Sequence, residues 1–118
     1  MANETEALEA TEARGRIARH EAFVVDVQDE KGWVTAHLVG ATHVDGGEIG
    51  AALEDVPDDR LVIVVCADGK RSGEVAEDLA KDGREAASIS GGISAWLSEG
   101  FQVQPSEDAA PPRDEDAD

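Results

Sequence analysis

Cysteine, positive charge and long apolar runs are all scarce in this chain of 118 residues. The single cysteine, Cys66, excludes an internal disulfide and a four-thiolate metal site, and it suits a reducing compartment. Ten basic residues against 27 acidic ones leave a formal net charge of -17. With no basic patch to neutralise phosphates, nucleic acid and anionic membrane surfaces are excluded as partners. No apolar run approaches the length of a transmembrane helix. The opening Met1-Ala2-Asn3-Glu4-Thr5-Glu6 lacks the basic region and apolar core of a secretory signal. The expectation is a cytoplasmic protein with no membrane partner.

The length suits one domain with a modest core, so a second catalytic domain would have to come from another chain. An excess of Asp and Glu with few lysines is the composition expected of a protein dissolved in concentrated salt. There the Debye length falls to about 3 Å and self-repulsion is largely screened. The plainer alternative is an acidic protein with a solvated tail.

What the chain does have is one continuous buried run, Leu61-Val62-Ile63-Val64-Val65, ending on Cys66. Five apolar residues, four of them β-branched, predict a fully buried strand. A polar turn, Ala67-Asp68-Gly69-Lys70-Arg71-Ser72, follows. The chain then becomes helical over residues 73–82, with Val75, Ala76, Leu79 and Ala80 on one face and Gly83 as C-terminal cap. This order aims the backbone N–H groups after Cys66 and the start of a helix dipole at one small volume, a setting that binds anions and favours a thiolate. Gly69 allows the tight reversal, Lys70 and Arg71 bring positive charge, and Ser72 with Glu74 and Val75 reads as the N-cap. Four residues between thiol and guanidinium suit a bound sulfur species, its outer sulfur cradled by N–H groups and its oxyanion held by Arg71.

The remaining elements follow from patterning. Residues 5–20 predict a short helix or two turns packed by Leu8 and Ile17 and weakened by Gly15. Phe23-Val24-Val25-Asp26-Val27 reads as the first buried strand. Its one acid, Asp26, must be hydrogen-bonded or paired, as an anchor for loop N–H groups or as part of the chemistry. Residues 28–38 read as a connection turning at Gly32, with Trp33 capping an apolar edge and His37 making a backbone hydrogen bond. Residues 41–44 suggest a short strand, 45–48 a turn and 49–53 one or two helical turns. Residues 86–90 predict another strand. Gly91-Gly92 at its end can approach the Cys66 loop with no side chain in the way, and Ile93, Trp96 and Leu97 share one face of a final helix. The domain is expected over residues 1–103, with an acidic disordered tail over 104–118. Strands alternating with helices, without clean two-residue periodicity, predict an α/β fold with a mainly parallel sheet covered on both faces. Ligand sites in such folds lie beyond the carboxyl ends of the strands, where Cys66 falls.

Four segments carry a family resemblance: Val25-Asp26-Val27, Ala36-His37-Leu38-Val39-Gly40-Ala41, the loop from Cys66 to Ser72, and Ser90-Gly91-Gly92-Ile93-Ser94-Ala95-Trp96. In order and spacing, over about residues 20–103, the chain resembles a single-domain rhodanese, a sulfurtransferase. The resemblance implies a five-stranded, mainly parallel sheet with helices on both faces. It also implies a ping-pong cycle in which Cys66 takes the outer sulfur of a donor such as thiosulfate or a protein persulfide, and passes it to cyanide or to a thiol, such as that of a thioredoxin-like protein. Loop N–H groups would stabilise the anion, with Asp26, His37, Gly91 and Gly92 in support. No cofactor is implied: no metal-ligand spacing and no flavin or nicotinamide fingerprint is present.

Gln28 stands where the family usually has arginine, and Ala36 where it commonly has glycine; both departures bear on positioning and leave the nucleophile in place. Asp68 sets a negative charge inside the anion loop, repulsive to thiosulfate in dilute salt, or else a pointer to a protein persulfide as donor. The rival readings are a sulfur-relay module with little turnover of its own, and a phosphatase or arsenate reductase. The loops of the latter two carry one residue more between cysteine and arginine.

Overall fold

A computed structural model of the chain describes residues 6–44 and 59–104. Among them five strands, β1 (Glu6–Leu8), β2 (Ala22–Asp26), β3 (Thr42–His43), β4 (Leu61–Val65) and β5 (Ala86–Ile89), form one sheet in the order β1-β5-β4-β2-β3. Every pairing is parallel. The helices are α1 (Ala10–Ala18), α2 (Glu30–Thr35), α3 (Lys70–Lys81) and α4 (Gly92–Ser98). The turn and helical turns expected over residues 45–53 lie outside the described residues.

All five residues of β4 are buried because the strand is central and covered on both sides. Leu61, Ile63 and Val65 face one layer with Val24, Ile89, Ala13 of α1 and Ile93 and Trp96 of α4. Val62, Val64 and Cys66 face the other with Val25 and with Val75, Ala76 and Leu79 of α3. The run that looks uniformly apolar in sequence thus alternates between two cores, as the two-residue period of a strand requires.

Several expected elements are corrected. Residues 6–8, expected in a helix, form an edge strand because β5 would otherwise leave a row of backbone groups unpaired, and Leu8 packs into the core from there. The helix starts after them and runs through Gly15 without a break, since Ala10 and Ala13 are buried against the sheet. Residues 30–35 are helical: Asp29 caps α2 by accepting the Gly32 N–H at 2.8 Å, so Gly32 sits inside a helix and not at a turn. On α4, Ile93 and Trp96 are buried but Leu97 is 48% exposed, because a helix of seven residues presents only a narrow stripe to the sheet. Gln104, placed at the start of the tail, is bridged to His37 through both backbone hydrogen bonds, at 2.9 and 2.8 Å.

The connections leaving β2 and β4 run in opposite directions, to β3 at one edge and through α3 to β5 on the other side. A crevice therefore opens between the carboxyl ends of these two adjacent strands, the place where open parallel sheets bind ligands.

Candidate active site

Cys66 is the first residue beyond β4, 5% exposed, and its sulfur lies at the start of α3. The Gly69 N–H donates to Sγ at 3.2 Å and the Ser72 N–H at 3.3 Å. The thiol in turn donates to the buried Ser72 Oγ at 3.4 Å, and Asp68 Oδ1 lies 3.8 Å from the sulfur. The helix begins three residues earlier than the apolar spacing indicates. Its N-cap is Gly69, left-handed at φ 92°, which brings Ser72 into the first turn with its hydroxyl on the sulfur and not on the helix end. Lys70 and Arg71 are exposed on that same turn.

The loop is clamped from behind by α4. Ile93 N–H donates to the Cys66 carbonyl at 2.9 Å and Ser94 N–H to the Ala67 carbonyl at 3.1 Å. The Ile93 and Ser94 N–H groups at the start of α4 are thus spent on holding the loop, while those of Gly69 and Ser72 at the start of α3 face the sulfur. Gly91 and Gly92 have φ of 76° and 60°, and a Cβ on Gly92 would fall 2.3 Å from the Cys66 carbonyl oxygen and 2.7 Å from the Gly69 nitrogen. The close approach read from the paired glycines is a backbone-on-backbone contact that admits no side chain. The N–H pair of Ile93 and Ser94 carries no sequence signal, because backbone donors look alike at every residue.

A cleft of about 280 Å³ opens over the sulfur, lined by Val27, Gln28, Asp29 and Gly32 after β2 and by Cys66, Ala67, Asp68 and Arg71 after β4. Asp26 and His37 are not on its wall. Asp26 is fully buried, and both its oxygens are taken by one residue: the Gln28 N–H donates to Oδ1 at 2.8 Å and Gln28 Nε2 to Oδ2 at 3.0 Å. Nε2 also donates to the Ala36 carbonyl at 3.0 Å, so Gln28 ties the loop after β2 to the end of α2 with neutral donors only. Burial pushes the Asp26 carboxyl above the ordinary carboxylate range, and the Gln28 donors and the nearby His43 and His37 imidazoles draw it part of the way back.

His37 Nδ1 hydrogen-bonds the Trp33 carbonyl at 2.8 Å and His43 Nε2 the Gln28 carbonyl at 2.8 Å. Both imidazoles stack nearly parallel on the Trp33 indole, at 3.6 and 4.7 Å between centroids. Sequence reading placed Trp33 on an apolar edge and had no role for His43. The stack needs β3 to come back beside β2, a non-local pairing without a local signal.

The Asp26–Gln28 pair has a testable consequence. Because folding raises this carboxyl's proton affinity, the group's contribution to stability falls as pH rises from the ordinary carboxylate pKa to the raised one, and is level above that. Gln28→Leu removes two side-chain hydrogen bonds, lowers stability at neutral pH by about 1–3 kcal/mol and widens the falling window. Gln28→Arg supplies a counter-charge, pulls the carboxyl down and narrows or reverses that window. Denaturant midpoints of the two variants from acid to neutral pH, each taken relative to the parent, read both effects. Identical pH profiles for all three proteins would refute the assignment.

The chain is thus an α/β protein with a cysteine at the end of its central strand, inside a loop wrapped by two helix starts. The rhodanese-like domain family matches residues 9–99, and the chain belongs to that family. Solved structures agree in fold. A rhodanese-related protein from Thermoplasma volcanium superposes with a TM-score of 0.78 at 23% identity, covering 86% of this chain and 99% of that one. A rhodanese-like domain protein from Staphylococcus aureus gives 0.77 at 23% identity, covering 87% and 100%. A thiosulfate sulfurtransferase from Pseudomonas aeruginosa gives 0.79 at 19% identity, covering 91% of this chain but only 21% of that larger one.

Proposed function

We propose that this protein is a sulfurtransferase that carries sulfane sulfur as a persulfide on Cys66. The observation that supports it best is the sulfur of Cys66 facing a small cleft with two backbone N–H groups on it and Arg71 on the same wall. In the forward half-reaction the Cys66 thiolate attacks the outer sulfur of the donor. The donor's S–S bond breaks, its electron pair leaves on sulfite or on a carrier thiolate, and the outer sulfur stays on Cys66. In the second half an acceptor thiolate or cyanide attacks that outer sulfur and returns the Cys66 thiolate. Loop N–H groups hold the negative charge that resides on sulfur at each stage.

A sulfur-relay role, fed by a protein persulfide, is the second reading; the Asp29 and Asp68 carboxylates beside the cleft favour it over a diffusible dianion. The short cysteine-to-arginine spacing argues against phosphate or arsenate chemistry. We place the reaction in a reducing cytoplasm rich in salt, on the strength of the lone cysteine and the acidic composition.

The test is intact mass of the purified chain in molar potassium chloride without reductant, before and after thiosulfate or an alkyl hydropersulfide. A gain of one sulfur atom that cyanide or a thiol then removes is the expected result. A folded protein that gains no sulfur from either donor would overturn the proposal.

A further inference from the structure

Among the described residues, three charged side chains line the cleft: Asp29, Asp68 and Arg71. Two carboxylates against one guanidinium make this described part of the wall net negative, although two backbone N–H groups point at the sulfur it surrounds. Gln28, on the same wall, is neutral, and its amide nitrogen is taken up by Asp26 and the Ala36 carbonyl. Of the two acids, Asp29 caps α2 and Asp68 sets its Oδ1 3.8 Å from Cys66 Sγ. Asp68 is held there by the Lys70 N–H, which donates to the same oxygen at 3.0 Å, and that hydrogen bond keeps the carboxyl below the usual carboxylate range. One N–H group at the start of α3 is therefore spent on a carboxylate belonging to the protein itself, and a fixed negative charge stands beside the attacking sulfur.

We propose that Asp68 is the residue that selects the sulfur donor by charge, turning away dianionic donors and leaving groups and admitting persulfides whose carrier thiol is neutral or cationic. The proposal rests on the reading of Cys66 as the sulfur-accepting thiol. The selected step is balanced without any other reactant. The Cys66 thiolate attacks the outer sulfur of a hydropersulfide, the donor's S–S bond breaks, and the carrier departs as a thiolate with the bonding pair. The outer sulfur and its proton remain on Cys66. A carrier bearing carboxylates, or thiosulfate releasing sulfite, places negative charge against Asp68 both on entry and on departure. A carrier bearing an ammonium group is drawn to it. Since Asp68 is exposed, molar salt weakens the discrimination.

The test is a charge series of hydropersulfides carried on cysteamine, mercaptoethanol and mercaptosuccinate, together with thiosulfate. Each is offered to the full chain and to Asp68→Asn, with the rate of sulfur gain read by intact mass. Asparagine keeps the oxygen that accepts the Lys70 N–H and removes only the charge. Taking the ratio of the two proteins for each donor cancels the intrinsic reactivity of the carrier thiol. In dilute buffer the parent is expected to load about tenfold or more slowly than the variant from mercaptosuccinate hydropersulfide and thiosulfate, equally from the mercaptoethanol donor, and faster from the cysteamine donor. The spread should shrink in molar salt. The same ratio for every donor overturns the role of Asp68 while leaving sulfur transfer standing. No loading of either protein by any donor overturns the Cys66 reading, and the selection with it.

Discussion

Cys66→Ser is expected to yield a folded protein that gains no sulfur from any donor and turns over at least about a thousandfold more slowly. The argument is local. Cys66 is buried at the end of the central strand, and its sulfur receives the Gly69 and Ser72 N–H groups. A serine hydroxyl oxygen can accept from both donors, so the loop keeps its hydrogen bonds and the core beneath it, Val64 and Val75 among its members, keeps its packing. What is lost is the nucleophile: an alcohol at neutral pH neither attacks sulfane sulfur nor holds a persulfide. Thermal unfolding within a few degrees of the parent, together with an unchanged mass after incubation with donor, is the predicted pair of results. Since the chain has one cysteine, any sulfur retained by the variant would point to another acceptor and refute the proposed cycle.

Gly92→Ala is expected to have the largest effect on stability, about 2–5 kcal/mol, together with a loss of at least about tenfold in sulfur loading. The added Cβ would fall 2.3 Å from the Cys66 carbonyl oxygen, 2.8 Å from that of Ala67 and 2.7 Å from the Gly69 nitrogen. All three are backbone atoms of the Cys66 loop, so no flexible side-chain end can move aside. Relief requires α4 to draw back, which breaks the Ile93 and Ser94 N–H bonds to the loop and lets Gly69 N–H drift from the sulfur. The contrasting variant is Gly83→Ala, after α3. That residue also has a left-handed backbone, φ 89°, but nothing lies within 4 Å of its Cβ position. It should cost only about 1–2 kcal/mol and leave loading unchanged. Equal losses in the two variants would mean that backbone strain alone, and not the clamp on the loop, governs the glycine at 92. Denaturant midpoints and loading rates measured side by side separate the two.

Local sequence carried much of this site. The five apolar residues before Cys66 have nowhere to go but a covered central strand, and the polar turn followed by a three-and-four spacing leaves the thiol at a helix start. Gly91-Gly92 announced a close backbone approach because no other residue type tolerates one. The start of α3 was less legible. Apolar spacing marks where a helix touches the core, and Lys70 and Arg71 are helical without touching it, so the pattern begins late and makes Ser72 look like a cap. The strand over residues 6–8 was illegible for a different reason. Nothing in Glu6-Ala7-Leu8 favours extension; it is the unpaired edge of β5 that draws the segment in.

By itself, then, the sequence determined the candidate cysteine, the loop that surrounds it, the parallel character of the sheet and the acidic composition of the chain. These depend on residue type and on spacings of a few positions. The tertiary structure alone decided which distant groups meet at that loop. Gln28 shares a cleft with Cys66 only because β2 and β4 are neighbours in the sheet. Ile93 and Ser94 hold the loop only because α4 starts beside it. Trp33 stacks with His43 only because β3 returns to β2. Such contacts join residues far apart in the chain and use backbone groups or ordinary side chains, so their specificity lies in position, which folding supplies and composition does not.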